Sequence, residues 1–455
     1  MYHDITMRLF FALLLLASQL SAAGFRAGLA RVNITPDGPI WLSGYASRNK
    51  ASEGVYQELF AKALALEDSK GYRVVIVSID LIGIPRALAD EVAARVQKEH
   101  ALERSRLLLN ASHTHTGPVV RSNLITMWDL SQGDLDRING YGRDLADKLV
   151  KVTADALQDL APAKLAFGEG KVSFAINRRE PTPTGIKLGL NPKGPVDHAV
   201  PVIEVRAADG KLRGIVFGYA CHNTTLGGDI YQVGGDYAGK AQAVLEEKHA
   251  GAAAMFLMLC GGDANPNPRG QMMHVNDHGT ALAGEVSRVL GTKLSPLSPR
   301  LRSAFQVTDL PFAVHTREQF EKEATDKNLA RARRAQLMLK AYDDRTPVTR
   351  VPYPVQAIRF DKRLTILALG GEVVVDYDLR AKREYPKERL IVAGYSNDVM
   401  CYIPSKRVLE EGGYEPDTSM IYYAQPGPFA PEVEQVVMDT VRQVMSRVGA
   451  KFAEP

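Results

Sequence analysis

Cysteine is scarce in this chain: of 455 residues only Cys221, Cys260 and Cys401 carry a thiol. An odd, sparse count excludes the disulfide framework that staples small exported domains, so stability has to come from a hydrophobic core. Each of the three ends an apolar run, where a small buried hydrophobe is the ordinary reading. An excess of one charge is lacking too. The formal net charge is only +4, with no long run of Lys and Arg, which removes nucleic acid and anionic membrane as default partners. Past residue 23 there is no Pro/Ser-rich linker, low-complexity block or internal repeat. With 45% hydrophobic and 24% charged residues, the composition is that of a globular protein.

One apolar stretch stands apart. MRLFFALLLLASQLSAAG, from Met7, has a basic start at Arg8, an apolar run from Leu9 to Ala17 and small residues ahead of Gly24. That order predicts a signal peptide over residues 1–23, and hence an exported protein, periplasmic or secreted. The run is shorter than the ~20 residues that span a bilayer. No transmembrane segment is therefore expected once the leader is removed. No Cys follows the cleavage point, so no lipid anchor is indicated.

The remaining sequence alternates strand and helix signals. YRVVIVSID (72–80), RLLLNAS (106–112), AAMFLML (253–259), LTILALGGE (364–372) and RLIVAGYSND (389–398) have the length and apolar content of buried strands. A hairpin is expected across Asp209-Gly210. Helices are predicted from Pro85 through residue 100, over 237–250 and over 276–290, and one long amphipathic helix over the charged segment 315–343. The expectation is an α/β fold: a single large domain with a mixed sheet, helices packed on it, and a site at the carboxyl ends of the strands. Those ends carry His113, His222, Asp263, Glu372 and Asn397.

In NASHTHTGP (110–118), three roles are open to His113 and His115: turn decoration, a metal-ligand pair, or a ligand beside a proton carrier. On an extended segment both side chains point the same way. With His222 and Glu372 at other strand ends, they suggest an open zinc site, which takes three His, Glu or Asp ligands and leaves a place for water. His274 and His278 share the four-residue spacing of a helical metal pair, but a Met precedes His274 and no Glu accompanies it, so both read as structural.

Taken in order, the motifs RAGLARVNITP, SGYASR, SHTHTGP, INR, GGDYAGKA, GGDANPN, GGE and SND…YIPSKRVLEEGGYE resemble the neutral/alkaline non-lysosomal ceramidases, which are zinc amidases. The resemblance extends over most of residues 24–455, read as one zinc hydrolase domain without the family's C-terminal β-sandwich. It implies that His113, His222, Glu372 and Tyr402 hold one Zn2+, with Tyr402 chosen over Tyr395 and Tyr414. It further implies that His115 carries the proton and that Arg178 faces the scissile carbonyl. One departure matters. Where the family has GDVSPN, this chain has GDANPN, with Asn265 in the serine's place; an amide cannot act as a nucleophile, whereas it can donate a hydrogen bond. A second departure is Arg179 after INR, expected to add bulk and charge at the mouth of the site.

The resemblance thus implies hydrolysis of an N-acyl amide by metal-activated water, with Arg178 and Asn265 stabilising the oxyanion and a lipid or small-molecule N-acyl substrate. A same-fold zinc hydrolase of a small amide or ester, such as an N-acyl sugar or cell-wall fragment, is the alternative. A third reading is a periplasmic binding protein without turnover.

Overall fold

The computed structural model describes residues 24–361 and 364–453; the expected signal peptide lies outside them. Among the described residues, the two principal sheets differ in size. A nine-stranded sheet runs in the order Ala253–Met258, Leu212–Tyr219, Ala199–Ala207, Ala161–Lys171, Phe25–Asn33, Phe60–Glu67, Arg73–Ile79 and Leu107–Ala111, with Ser295–Pro296 pairing on Ala161–Lys171. It is mixed: the two pairs at its ends are parallel, and the path between them is antiparallel. A four-stranded sheet follows in the order Leu301–Pro311, Arg350–Phe360, Leu364–Leu369, Arg389–Ala393.

Alternation along the strands explains how the two sheets stack. Ala63, Ala65, Val75, Val77, Leu107 and Leu109 face the helices Arg86–His100 and Gln132–Gln158. Their neighbours Leu64, Leu66, Val74, Ile76 and Leu108 pack instead against Ile358, Leu364, Ile366 and Ile391 of the smaller sheet. The outer face of that smaller sheet is covered by Val375–Glu384 and Val433–Arg447. The layers are therefore helix, sheet, sheet, helix. Strands buried on both faces read as continuous apolar runs, which is why the periodicity revealed strands but not two stacked sheets.

Most predicted elements fall where expected, including the helix Arg86–His100 and the hairpin closed by Ala207 and Lys211. The segment 315–343 differs. It forms two helices, Arg317–Glu323 and Leu329–Asp343. Asn328 accepts a hydrogen bond from the Arg331 backbone N–H at 3.1 Å, starting a new helix where the first would have continued. All three cysteines are buried and free.

The chemistry-bearing strand ends converge because Asn110 ties the edges of the large sheet together. Its Nδ2 donates to the carbonyl of Gly394 at 2.8 Å and that of Met258 at 3.2 Å, while its Oδ1 accepts from the Met258 N–H at 2.8 Å. Strands ending at Ala111, Met258 and Ala393 are thereby held side by side.

Candidate active site

The HTH segment leaves the sheet at Ala111. His113 takes a left-handed backbone conformation (φ 62°), so the segment is not the extended run expected from the sequence, and the two imidazoles meet edge to face at 4.7 Å rather than in parallel. Thr114 forms an isolated parallel bridge with Asn223, which brings His222 alongside. The hydroxyls of Thr114 and Thr116 donate to the carbonyl of Gly234 at 2.9 and 2.7 Å, fixing the loop from behind. Opposite them, Glu372–Val373 pairs in parallel with Tyr402–Ile403, placing Glu372 directly across from Tyr402. Gly371 makes the turn into Glu372 at φ 74°, and a Cβ there would stand 2.6 Å from Ile403.

Nδ1 of His113 lies 2.7 Å from the carbonyl oxygen of Ile82, and Nδ1 of His222 lies 2.7 Å from that of Gly261. A carbonyl only accepts, so each Nδ1 carries the proton and each Nε2 presents a lone pair. Both lone pairs aim at Glu372 Oε2, at 2.9 and 3.0 Å. The Tyr402 hydroxyl stands 3.1 Å from His222 Nε2. The Tyr402 hydroxyl can donate to His222 Nε2, whereas the two Nε2 lone pairs and the Glu372 carboxylate, all buried, repel one another unless a cation or a proton sits among them. His, Glu and Tyr oxygens and nitrogens of this kind fit zinc, and the backbone carbonyls behind the imidazoles are the usual orienting partners of ligating histidines. Burial, followed by the charge of Arg178, pushes His222 down to about 3.

His115 Nε2 is 3.1 Å from His113 Nε2, and the nitrogens of His113, His115 and His222 lie within 4.8 Å of one another. Its Nδ1 is buried without a partner among the described residues. Gly44 (φ 74°) packs on that ring so closely that a Cβ would fall 2.2 Å from Nδ1. Burial, reinforced by His113 and His222, lowers the His115 pKa well below the ordinary value.

Arg178 donates from Nη2 to the Tyr402 hydroxyl (2.9 Å), from Nη1 to Asn265 Oδ1 (3.3 Å) and from Nε to Glu415 Oε1 (2.8 Å). Burial opposes its charge, yet Tyr402 and Glu415 raise its pKa well above the ordinary value. The expected place of Arg179 is corrected here. Its side chain is buried away from the mouth, drawn inward by ion pairs to Glu415 at 2.5 Å and to Glu411 at 2.9 Å, on a strand whose register shifts between Asn177 and Arg179. Asp263 touches neither a histidine nor Asn265. It accepts from the Val375 N–H at 2.9 Å and from Asn177 Nδ2 at 3.0 Å, capping the helix that follows Glu372. Asn397 is likewise structural, bonding Gln356 and the Leu109 N–H. His278 bonds the Pro268 carbonyl and stacks on Phe174, as expected for a structural residue.

The sequence reading missed Tyr423, whose hydroxyl donates to Glu372 Oε1, and Glu415, which holds both arginines. Glu415 closes the YIPSKRVLEEGGYE block, so position within a motif was the available signal; nothing around Tyr423 marks it. A cavity of about 450 Å³ opens over the cluster, with His115, Arg178, Asn265 and Glu372 in its floor and Leu188, Leu190 and Arg269 in its wall.

The helix–sheet–sheet–helix scaffold, with a His/Glu/Tyr cluster at its strand ends, defines a mixed α/β protein with one composite site. The sequence profile described as neutral/alkaline non-lysosomal ceramidase, N-terminal, matches residues 25–292, and the chain belongs to that family. The neutral ceramidase of Pseudomonas aeruginosa is 25% identical over 261 residues, covering 53% of this chain and 37% of that protein. The neutral ceramidase of Drosophila melanogaster is 25% identical over 266 residues, covering 55% and 37%. The matched region thus spans well under half the length of these curated relatives. The crystal structure of the Pseudomonas aeruginosa neutral ceramidase superposes with a TM-score of 0.72 at 19% identity, covering 95% of this chain and 76% of that one.

Proposed function

We propose that this protein is a zinc-dependent hydrolase of N-acyl amide bonds, with the metal held by His113, His222, Glu372 and Tyr402. The observation that carries the proposal is the convergence of two Nε2 lone pairs on Glu372 Oε2 at 2.9 and 3.0 Å. When bound, zinc supplies Lewis acidity toward water and the scissile carbonyl. His115, whose Nε2 faces the same cluster, takes the proton of the attacking water and returns it to the leaving amine. Arg178 and Asn265 stabilise charge on the carbonyl oxygen. Asn265 Oδ1 already accepts from Arg178 and Thr224, which leaves its Nδ2 as the donor toward substrate. Leu188 and Leu190, 50% and 54% exposed, offer the acyl chain an apolar wall, which favours a lipid-like N-acyl substrate over a sugar.

Export to the periplasm or beyond is proposed on the leader-like residues 1–23; among the described residues no helix is long and apolar enough to cross a membrane. The test is zinc quantification coupled to turnover of fluorogenic N-acyl substrates. The wild type is expected to hold about one zinc per chain and to release the amine, whereas Glu372→Ala is expected to lose the metal and more than roughly 100-fold in rate, since even changes behind a ligand cost 10- to 100-fold. Hydrolysis that persists in metal-free Glu372→Ala contradicts the mechanism.

A further inference from the structure

Arg269 has no place in the chemistry above. It lines the cavity, yet it makes no ion pair among the described residues. The other arginine lining the cavity, Arg178, is balanced differently: it pairs with Glu415. Glu372, the carboxylate in the cavity floor, is engaged by His113, His222 and Tyr423. The cavity therefore carries one positive charge on its wall with no carboxylate paired to it among the described residues.

Arg269 is an exposed side chain on a backbone that the scaffold anchors. On one side of Arg269 the Pro268 carbonyl lies 2.7 Å from His278 Nε2, and on the other the Gly270 N–H donates to the Thr225 carbonyl at 2.6 Å. Arg269 Nη2 donates to the Tyr45 hydroxyl at 2.9 Å, and the Tyr45 ring packs against His115 with centroids 5.0 Å apart. A single tyrosine side chain thus spans the gap between the guanidinium and the proposed proton carrier. The Tyr45 hydroxyl is itself tied to the Leu226 carbonyl at 2.7 Å. A guanidinium held beside an apolar wall, with hydrogen-bonding N–H groups to spare, matches a planar carboxylate.

We infer that Arg269 selects N-acyl substrates bearing a carboxylate near the scissile amide, that is, N-acyl amino acids rather than uncharged N-acyl amino alcohols. The inference rests on the hydrolase reading for its substrate class, so the experiment separates the two. Turnover of N-lauroylglycine is compared with that of N-lauroylethanolamine. In parallel, equilibrium binding is measured for their non-hydrolysable dodecylsulfonamide counterparts. A charge-assisted contact of this kind corresponds to roughly tenfold to a hundredfold in preference for the carboxylate. The wild type is expected to show that preference in both assays, through KM in the first; Arg269→Gln is expected to abolish it and Arg269→Lys to keep part of it. Because the readout is a ratio within one variant, general damage from a substitution cancels. Equal handling of both ligands by the wild type, or an unchanged ratio in Arg269→Gln, overturns the inference even if hydrolysis is brisk. A binding preference without turnover of either substrate overturns the hydrolase reading and leaves the inference standing.

Discussion

His113, His222 and Glu372 follow closely on strand ends, and their supports are backbone carbonyls and neighbouring strands. The cavity wall is made differently: Leu188 and Leu190 sit on the outer strand of a three-stranded sheet, and Arg269 lies on a loop. In the donor cluster a small displacement of backbone would spoil several contacts at once, whereas the wall has exposed side chains free to differ. Both places where the sequence departs from the family pattern, Asn265 and Arg179, lie on the two segments paired in that small sheet and not on the donor cluster. If the proposed function holds, the sheet ends carry the reaction and the loops and outer strand around them carry the choice of substrate.

His115→Ala strains that division most, because His115 belongs to the cluster by position and to the wall by its packing on Gly44 and Tyr45. As a proton carrier it should leave bound zinc in place while the rate falls by about 10²- to 10⁴-fold, measured as metal content against kcat. Loss of the metal would instead make it a ligand. Asn110→Ala comes next. Removing the clasp between sheet edges leaves buried backbone groups unpartnered and is expected to lower unfolding stability by about 2–3 kcal/mol in urea titration. No effect would mean that the strand ends are held together without it. Leu188→Ala should do least: stability within about 0.5 kcal/mol of wild type, and a raised KM for long-chain relative to short-chain acyl substrates. An unchanged chain-length profile would remove this strand from substrate binding.

Much of this is written in the sequence. Strand ends bearing His113, His222 and Glu372 were marked by apolar runs stopping at polar residues, and the structure brings those three together. Among the tyrosines of 395–414 the motif itself pointed to Tyr402, and the parallel register sets that residue across from Glu372. Tyr395, the rejected neighbour, has its hydroxyl 3.5 Å from Glu372 Oε2, the oxygen that the two imidazoles also face. Tyr423 was invisible because its contact spans 51 residues and no local pattern predicts such a meeting. Arg179 was misplaced for a similar reason: the carboxylates that draw it inward, Glu411 and Glu415, lie 232 and 236 residues further along the chain. The stacking of two sheets was hidden by strands apolar on both faces, and the break in 315–343 by a capping asparagine embedded among charges.

The most direct test is diffraction from zinc-loaded crystals at the zinc absorption edge. An anomalous peak is expected about 2.0–2.2 Å from His113 Nε2, His222 Nε2 and Glu372, with Tyr402 beside it. A peak elsewhere, or none after loading, would contradict the central claim that these strand ends form a metal centre.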